Sequence, residues 1–64
     1  MNEIGNMIKS LRRREKLTQE ELAHKLNMSR SRLNNYEQGI RNPDPDSLKQ
    51  IADFFNVSID AFFG

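Results

Sequence analysis

The chain is short, nearly neutral and free of cysteine: it has 64 residues, a net charge of +1 at pH 7, one histidine and no cysteine. This length predicts a single domain over residues 1–64, and the composition excludes disulfides and the usual zinc sites and disfavours an enzyme. No apolar run is long enough to span a membrane, and the N-terminus lacks the apolar segment of a signal peptide. We therefore expect a soluble intracellular protein without metal or cofactor.

The charge is distributed unevenly along the chain. Residues 1–32 hold eight Lys/Arg and four Asp/Glu, whereas residues 33–64 hold two and five. A basic side next to an acidic side fits a molecule that turns one surface toward a polyanion, although chance clustering in so short a chain would look the same.

The first predicted helix spans residues 2–14, because Ile4, Ile8 and Leu11 recur at helical spacing. It ends in three arginines, at 12–14, where positive charge suits the helix dipole. These arginines serve either to cap the helix end or to contact phosphate, and the pattern alone does not decide.

The second predicted helix, residues 18–26, starts with a T-x-x-E capping box formed by Thr18 and Glu21. Asn27 ends it, since Asn tolerates the left-handed conformation. Gln19 lies in the first turn, where free backbone N–H groups favour anions. Gln19 is therefore either a phosphate contact or merely a good helix former.

The third predicted helix, residues 29–37, follows almost at once, with Ser29 as its N-cap and Gly39 after its end. Leu33 and Tyr36 give it an apolar edge. Two helices separated by a turn this short form a helix-turn-helix.

The last part of the chain predicts a loop and two more helices. Asp44 and Pro45 suit the N-cap and first position of a fourth helix, and Asn56 suits its left-handed end. Ser58 suits the N-cap of a fifth helix over 58–63. The predicted core consists of Ile4, Ile8, Leu11, Leu17, Leu22, Ala23, Leu26, Leu33, Ile40, Leu48, Ile51, Ala52, Phe55, Val57 and Phe62. Phe54, Ile59 and Phe63 either complete this core or form an exposed patch for a protein partner.

The face of the third helix opposite Leu33 and Tyr36 carries the strongest indication of function. Glu and Lys usually dominate a solvated helix face, but this one holds no Lys and no acid before Glu37. Arg pairs with guanine, Asn with adenine and Ser with either, so the segment suits base reading better than plain solvation. The residues concerned are Arg30, Ser31, Arg32, Asn34 and Asn35.

Three ordered motifs, LTQEELAHKL, MSRSRLNNYEQG and RNPDPDSLKQIADFFNVSIDAFF, resemble the DNA-binding domain of the phage repressor, Cro and XRE family from Ile4 to Phe63. The resemblance implies an all-α, compact five-helix bundle whose third helix enters the major groove. Ala23 stands where the family has an alanine at the helix crossing, and Asn27 stands where a glycine is usual.

The resemblance also implies roles for individual residues. The resemblance assigns base reading to Arg30, Ser31, Asn34 and Asn35. Arg32 is the least well matched member of this base-reading set. An ion pair maps to Arg12 and Glu37. Phosphate binding maps to Gln19, Arg41, Asn42 and Arg12.

The sequence therefore predicts a bacterial or phage transcriptional repressor that binds a palindromic double-stranded DNA operator as a homodimer in the cytoplasm, at the nucleoid. An antitoxin-type regulator with a protein partner is the alternative, and a pure protein-interaction module is a third. The chain is either a complete protein or the DNA-binding part of a longer regulator.

Overall fold

The computed structural model describes residues 3–63, which form four α-helices and a short C-terminal 3-10 helix. The α-helices are α1 (Glu3–Arg14), α2 (Gln19–Lys25), α3 (Arg30–Gln38) and α4 (Pro45–Phe55), and the 3-10 helix is Ile59–Phe63. No strand occurs within this part of the chain. The predicted helix start at residue 2 and the predicted domain limits at 1 and 64 lie outside the described residues.

The all-helical prediction is confirmed, but the count of five α-helices is wrong because the fifth segment is a 3-10 helix. Its backbone bond runs from Ala61 N to the Ser58 carbonyl, three residues back, at 3.1 Å. Five residues are too few to offset the cost of nucleating an α-helix, and 3-10 geometry suits such short pieces.

Side-chain caps fix where α2, α3 and α4 begin. The Thr18 hydroxyl accepts from Glu21 N at 3.1 Å while the Glu21 carboxylate accepts from Thr18 N at 2.8 Å, which completes the predicted capping box. Ser29 caps α3 through Arg32 N at 3.1 Å. Asp44 caps α4, with Pro45 at its first position.

Left-handed residues end three of the helical segments. Asn27 and Asn56 both have φ 58°, as expected for Asn at a helix stop, and Gly39 has φ 78° after α3. Lys16 also has φ 58°, in the turn between α1 and α2. A lysine in this region is uncommon because its Cβ crowds the following carbonyl.

The core lies between α1, α2, α3 and α4 and is closed by the C-terminal 3-10 helix. Ile8, Leu22, Leu33 and Ile51 are fully buried, and Phe62 seals the end at 1% exposure. Tyr36 joins them at 4%, and Ile4, Met7, Leu17, Met28 and Val57 pack around the edge.

Ile40 is the one predicted core residue that the structure contradicts, at 71% exposure. The left-handed turn at Gly39 lets the N–H groups of Ile40 and Arg41 both bond to the Asn35 carbonyl, at 3.0 and 3.2 Å. This reversal leaves the Ile40 side chain on the surface, and Pro43 is the buried residue of the loop instead.

A helix of membrane-spanning length is absent from residues 3–63, where the α-helices have seven to twelve residues.

Candidate nucleic-acid interface

The turn between α2 and α3 presents α3 on the surface of the domain. Four residues connect the two helices, and Met28 N donates to the Ala23 carbonyl at 2.9 Å, which closes the end of α2. Met28 is half-buried against the core, and Leu33 is fully buried on the inner side of α3. With the inner side fixed in this way, the opposite side of α3 faces outward.

The outward face of α3 collects arginine, serine and amide side chains. At about 100° per residue, they fall within an arc of about 140°. They are Arg30, Ser31, Asn34, Asn35 and Gln38. Arg30, Ser31 and Gln38 are exposed, and the two asparagines are half-buried.

Gln38 is absent from the sequence prediction, although it lies in the same arc, four residues after Asn34 and seven after Ser31. The helical spacing that groups Arg30 with Asn34 could have found it. The prediction ended the helix at residue 37, one residue too early.

Gln19 ties the start of α2 to the outward side of α3. Its amide nitrogen donates to Asn34 Oδ1 at 3.0 Å and to Glu37 Oε1 at 3.1 Å. Gln19 itself is half-buried. The predicted phosphate contact and a predicted base reader are therefore hydrogen-bonded to each other in the folded chain.

Arg12 and Glu37 form the ion pair that the sequence implied. Arg12 Nε and Nη2 donate to the two carboxylate oxygens at 2.7 and 3.0 Å, and Nη1 donates to the Leu17 carbonyl at 2.8 Å. The side chains are 12% and 0% exposed. Three N–H groups of the guanidinium are thereby engaged, and a phosphate contact by Arg12 stays a prediction.

Arg32 is exposed but lies at the margin of the outward face. Its Nε donates to the Tyr36 hydroxyl at 2.7 Å and its Nη2 to Ser47 Oγ, in the first turn of α4, at 3.3 Å. The bond to Tyr36, with a smaller contribution from Asp44, raises the pKa of Arg32. Arg32 therefore connects α3 to α4.

Arg41 and Asn42 are exposed in the loop between α3 and α4. A groove of about 550 Å³ separates this loop from α3, and both residues line it together with Ser29, Ser31 and Arg32. The structure thus brings the predicted loop contacts next to the N-terminal half of the predicted recognition helix.

No cluster of three His, Cys, Asp or Glu residues that could hold an ion occurs among residues 3–63.

A short helix, a four-residue turn and a second helix with a buried apolar side and an outward arginine–amide side define a helix-turn-helix DNA-binding domain. The chain belongs to the helix-turn-helix family of DNA-binding transcriptional regulators, of the XRE type, whose family model matches residues 8–62. The resemblance seen in the sequence is therefore confirmed.

Three curated relatives match over most of the chain. It is 39% identical over 61 residues to the HTH-type transcriptional regulator ImmR of Bacillus subtilis (strain 168), covering 95% of this chain and 48% of the relative. It is 38% identical over 61 residues to the immunity repressor protein of Bacillus phage phi105, covering 95% and 42%. It is 41% identical over 58 residues to the HTH-type transcriptional activator BcrR of Enterococcus faecalis, covering 91% and 28%. The chain thus spans half the length of these relatives or less.

Proposed function

We propose that this chain is the operator-reading domain of a transcriptional repressor, acting over residues 1–64 as one unit. The observation that carries the proposal is the outward face of α3, where five arginine, serine and amide side chains share one arc opposite fully buried Leu33. Such side chains form the hydrogen bonds that distinguish base pairs in the major groove.

The base-reading residues are Arg30, Ser31, Asn34 and Asn35, with Gln38 extending the face at its C-terminal end. Asn34 accepts from Gln19 through its side-chain oxygen, which orients its amide nitrogen before DNA arrives. A side chain ordered in advance loses less conformational entropy on binding.

The backbone contacts come from the two ends of the α2–α3 unit. Gln19 and the first turn of α2 hold one phosphate, and Arg41 with Asn42 hold another beyond the end of α3. These contacts fix the register of α3 on the duplex and carry no sequence information themselves.

A homodimer follows from the length of the reading element. The nine residues of α3 extend about 14 Å and reach only a few base pairs. Two copies on a palindromic operator, with half-site centres about 34 Å apart, double the sequence read. Repression then results from occupancy, and the chain works at the nucleoid in the bacterial cytoplasm.

The relatives support transcriptional regulation, and both directions of regulation occur among them. The phage phi105 relative is named an immunity repressor, whereas BcrR is named an activator. We choose repression because a DNA-bound domain needs no further contact to block transcription by occupancy.

Selection from a random pool of double-stranded DNA tests this proposal directly. The expected result is a half-site of a few base pairs, repeated with dyad symmetry at about one helical turn. Enrichment of no sequence, with only salt-sensitive binding to all DNA, would contradict sequence-specific reading.

The second candidate is an antitoxin-type regulator that also binds a protein. It is supported by exposed apolar side chains in the C-terminal part of the chain, where Phe63 is 59%, Phe54 40% and Ile59 37% exposed. Ile59 and Phe63 line one apolar groove, and Phe54 lies at another. A stoichiometric partner that co-purifies with the chain, and is lost in a Phe63→Ser variant, would favour this candidate. Purification of the wild-type chain without such a partner would count against it.

A further inference from the structure

Arg32 is the predicted base reader whose position in the structure fits base reading least. On the helical projection of α3 it lies about 130° from the middle of the outward face and only about 40° from buried Tyr36. A side chain at this angle reaches the flank of the helix and not the base edges that Arg30 and Asn34 face.

Two hydrogen bonds hold the Arg32 guanidinium on that flank. Tyr36 accepts from Nε at 2.7 Å, and the guanidinium carbon lies 5.8 Å from the centre of the Tyr36 ring. Ser47 accepts from Nη2 at 3.3 Å. Since a guanidinium has five N–H donors, these two bonds fix its plane and leave further donors for a ligand.

The groove beside Arg32 is polar and lined by a second arginine. Arg32 of α3 and Arg41 of the following loop both line it, together with Ser29, Ser31 and Asn42. Asp44 lines the groove as well, but its carboxylate caps α4 through Ser47 N at 3.2 Å. Hydrogen bonds with Ser47, first that of its side chain and then that of its backbone, lower the pKa of Asp44, so one negative charge offsets one of the two positive charges.

We propose that Arg32 is a phosphate-binding residue that reads no base. Held by Tyr36 and Ser47, it binds the DNA backbone together with Arg41 and sets the distance between α3 and the phosphate-binding loop. This inference rests on the proposed DNA-binding function and assigns Arg32 a different role within it. The ligand group is a backbone phosphate, which guanidinium donors bind with charge-assisted hydrogen bonds.

The test measures affinity for the selected operator and for unrelated duplexes at several salt concentrations, in Arg32→Ala, Arg32→Lys and Tyr36→Phe variants. Arg32→Ala should weaken binding to every sequence by about 10-fold and lower the salt slope by about one unit, without changing the selected sequence. Arg32→Lys should restore the slope but not the affinity, because an ammonium lacks the planar fork.

Tyr36→Phe separates positioning from charge. It removes the hydroxyl that accepts from Arg32 and leaves the positive charge in place, so affinity should fall about 3-fold with an unchanged salt slope. In an Arg32→Ala background the same change should have no further effect, because the two residues act as one unit. A merely structural role of Tyr36 would give the same loss in both backgrounds.

Two comparison variants calibrate the measurement. Arg41→Ala should match Arg32→Ala in its uniform loss and its slope. Lys49→Gln removes the same charge from an exposed position on α4, where Lys49 pairs with Asp53 at 3.0 Å, and should leave affinity within about 2-fold of wild type. Each variant is measured under conditions where chemical denaturation shows it to be folded. If Arg32→Ala does not fold, the Arg32→Lys and Tyr36→Phe variants decide the test.

A changed preference at one base pair in Arg32→Ala would overturn the inference and return Arg32 to base reading. Wild-type affinity and slope in Arg32→Ala would overturn it equally. Failure of the wild-type chain to bind any duplex would instead remove the proposed function itself, and the inference with it.

Discussion

Glu37 is a carboxylate with no exposed surface, held by the Arg12 guanidinium and by the Gln19 amide, which donates to Oε1 at 3.1 Å. The bidentate contact with Arg12 at 2.7 and 3.0 Å joins the last turn of α1 to α3. Removing Arg12 takes away the positive charge beside this buried carboxylate, and losing one partner of a buried ion pair costs far more than the pair gains on formation.

Arg12→Ala should therefore lower the free energy of unfolding by about 3–5 kcal/mol, measured by urea denaturation. Arg14→Ala is the matched control. Arg14 is 57% exposed and lies 3.5 Å from Glu15, so its loss should cost about 0–1 kcal/mol. Equal losses of unfolding free energy in the two variants would show that the buried ion pair stabilises the chain no more than the exposed one.

Lys16 is the residue whose backbone conformation is least favourable for its residue type. Its φ of 58° belongs to the left-handed region, where the Cβ of any residue but glycine is crowded. Lys16 N nevertheless donates to the Arg13 carbonyl at 2.9 Å and closes the end of α1.

Lys16→Gly should raise the free energy of unfolding by about 1 kcal/mol and the Tm by about 4–8 °C in thermal unfolding. Lys16→Ala keeps the Cβ and should give no such gain. If alanine stabilised the chain as much as glycine, the lysine side chain and not the backbone would be the cause.

At the scale of single residues, the caps and the helix stops could be predicted because each depends on neighbours in the chain. Thr18, Ser29 and Asp44 cap helices as expected, and Asn27 and Asn56 are left-handed. The exposure of Ile40 could not be predicted in this way. It depends on how the turn at Gly39 directs the chain, and apolar character alone does not encode that direction.

The helices of this domain depend on their N-caps because they are short. α2 has seven residues, and isolated helices shorter than about 12 residues are marginal in water. The hydrogen bonds to Thr18 lower the pKa of Glu21, and those to Ser47 lower the pKa of Asp44. Both shifts mean that the ionised carboxylates stabilise the folded chain.

Because both folded-state pKa values are lowered, this stabilisation is present above the ordinary values of 4.5 and 3.8 and is lost as the pH falls below them. The free energy of unfolding should therefore decline as the pH falls through 4.5 and then through 3.8. A Glu21→Gln/Asp44→Asn double variant keeps the caps and should decline less steeply in acid denaturation.

Thr18→Ala provides the internal check, since it removes the side-chain bond to Glu21 but keeps the backbone N–H of residue 18, whose bond to the Glu21 carboxylate lowers the pKa of Glu21 most. It should lower the free energy of unfolding at neutral pH through the lost cap, while most of the decline below pH 4.5 stays. If the double variant lost stability in acid as steeply as wild type, groups other than Glu21 and Asp44 would cause the decline.

At the scale of elements, hydrophobic spacing predicted all four α-helices to within a residue or two, and it misjudged only the last segment. Residues 59–63 follow a plausible cap, Ser58, and carry apolar side chains. Their 3-10 geometry nevertheless follows from the short length of the segment and from the burial of Phe62. Length limits the hydrogen bonds that a segment can form, and a pattern of side chains does not report that limit.

Over the whole molecule, α3 is held from three sides. Arg12 binds Glu37 from α1, Gln19 binds Asn34 from α2, and Ser47 of α4 accepts from Arg32. A helix fixed in this way presents its outward side chains in one orientation, which is what recognition of a rigid duplex requires.

The candidate site was predictable to the extent that it lies on one helix. Residues 30, 31, 34 and 35 share a face by spacing alone. The bonds from Gln19 to Asn34 and from Arg32 to Ser47 join residues 15 positions apart, so only the folded chain reveals them. The bond from Arg32 to Ser47 supports a different role for Arg32 from the one the spacing predicts, whereas Asn34 stays a proposed base reader that Gln19 orients.

The central claim is that the outward face of α3 reads base pairs, and Arg30→Ala tests it most directly. DNA selection and titration with this variant should show about 1–3 kcal/mol of lost affinity for the operator and relaxed preference at one base pair per half-site. Preferences at the other positions should stay unchanged. A loss of the same size on every DNA sequence, with the original preference intact, would contradict the claim.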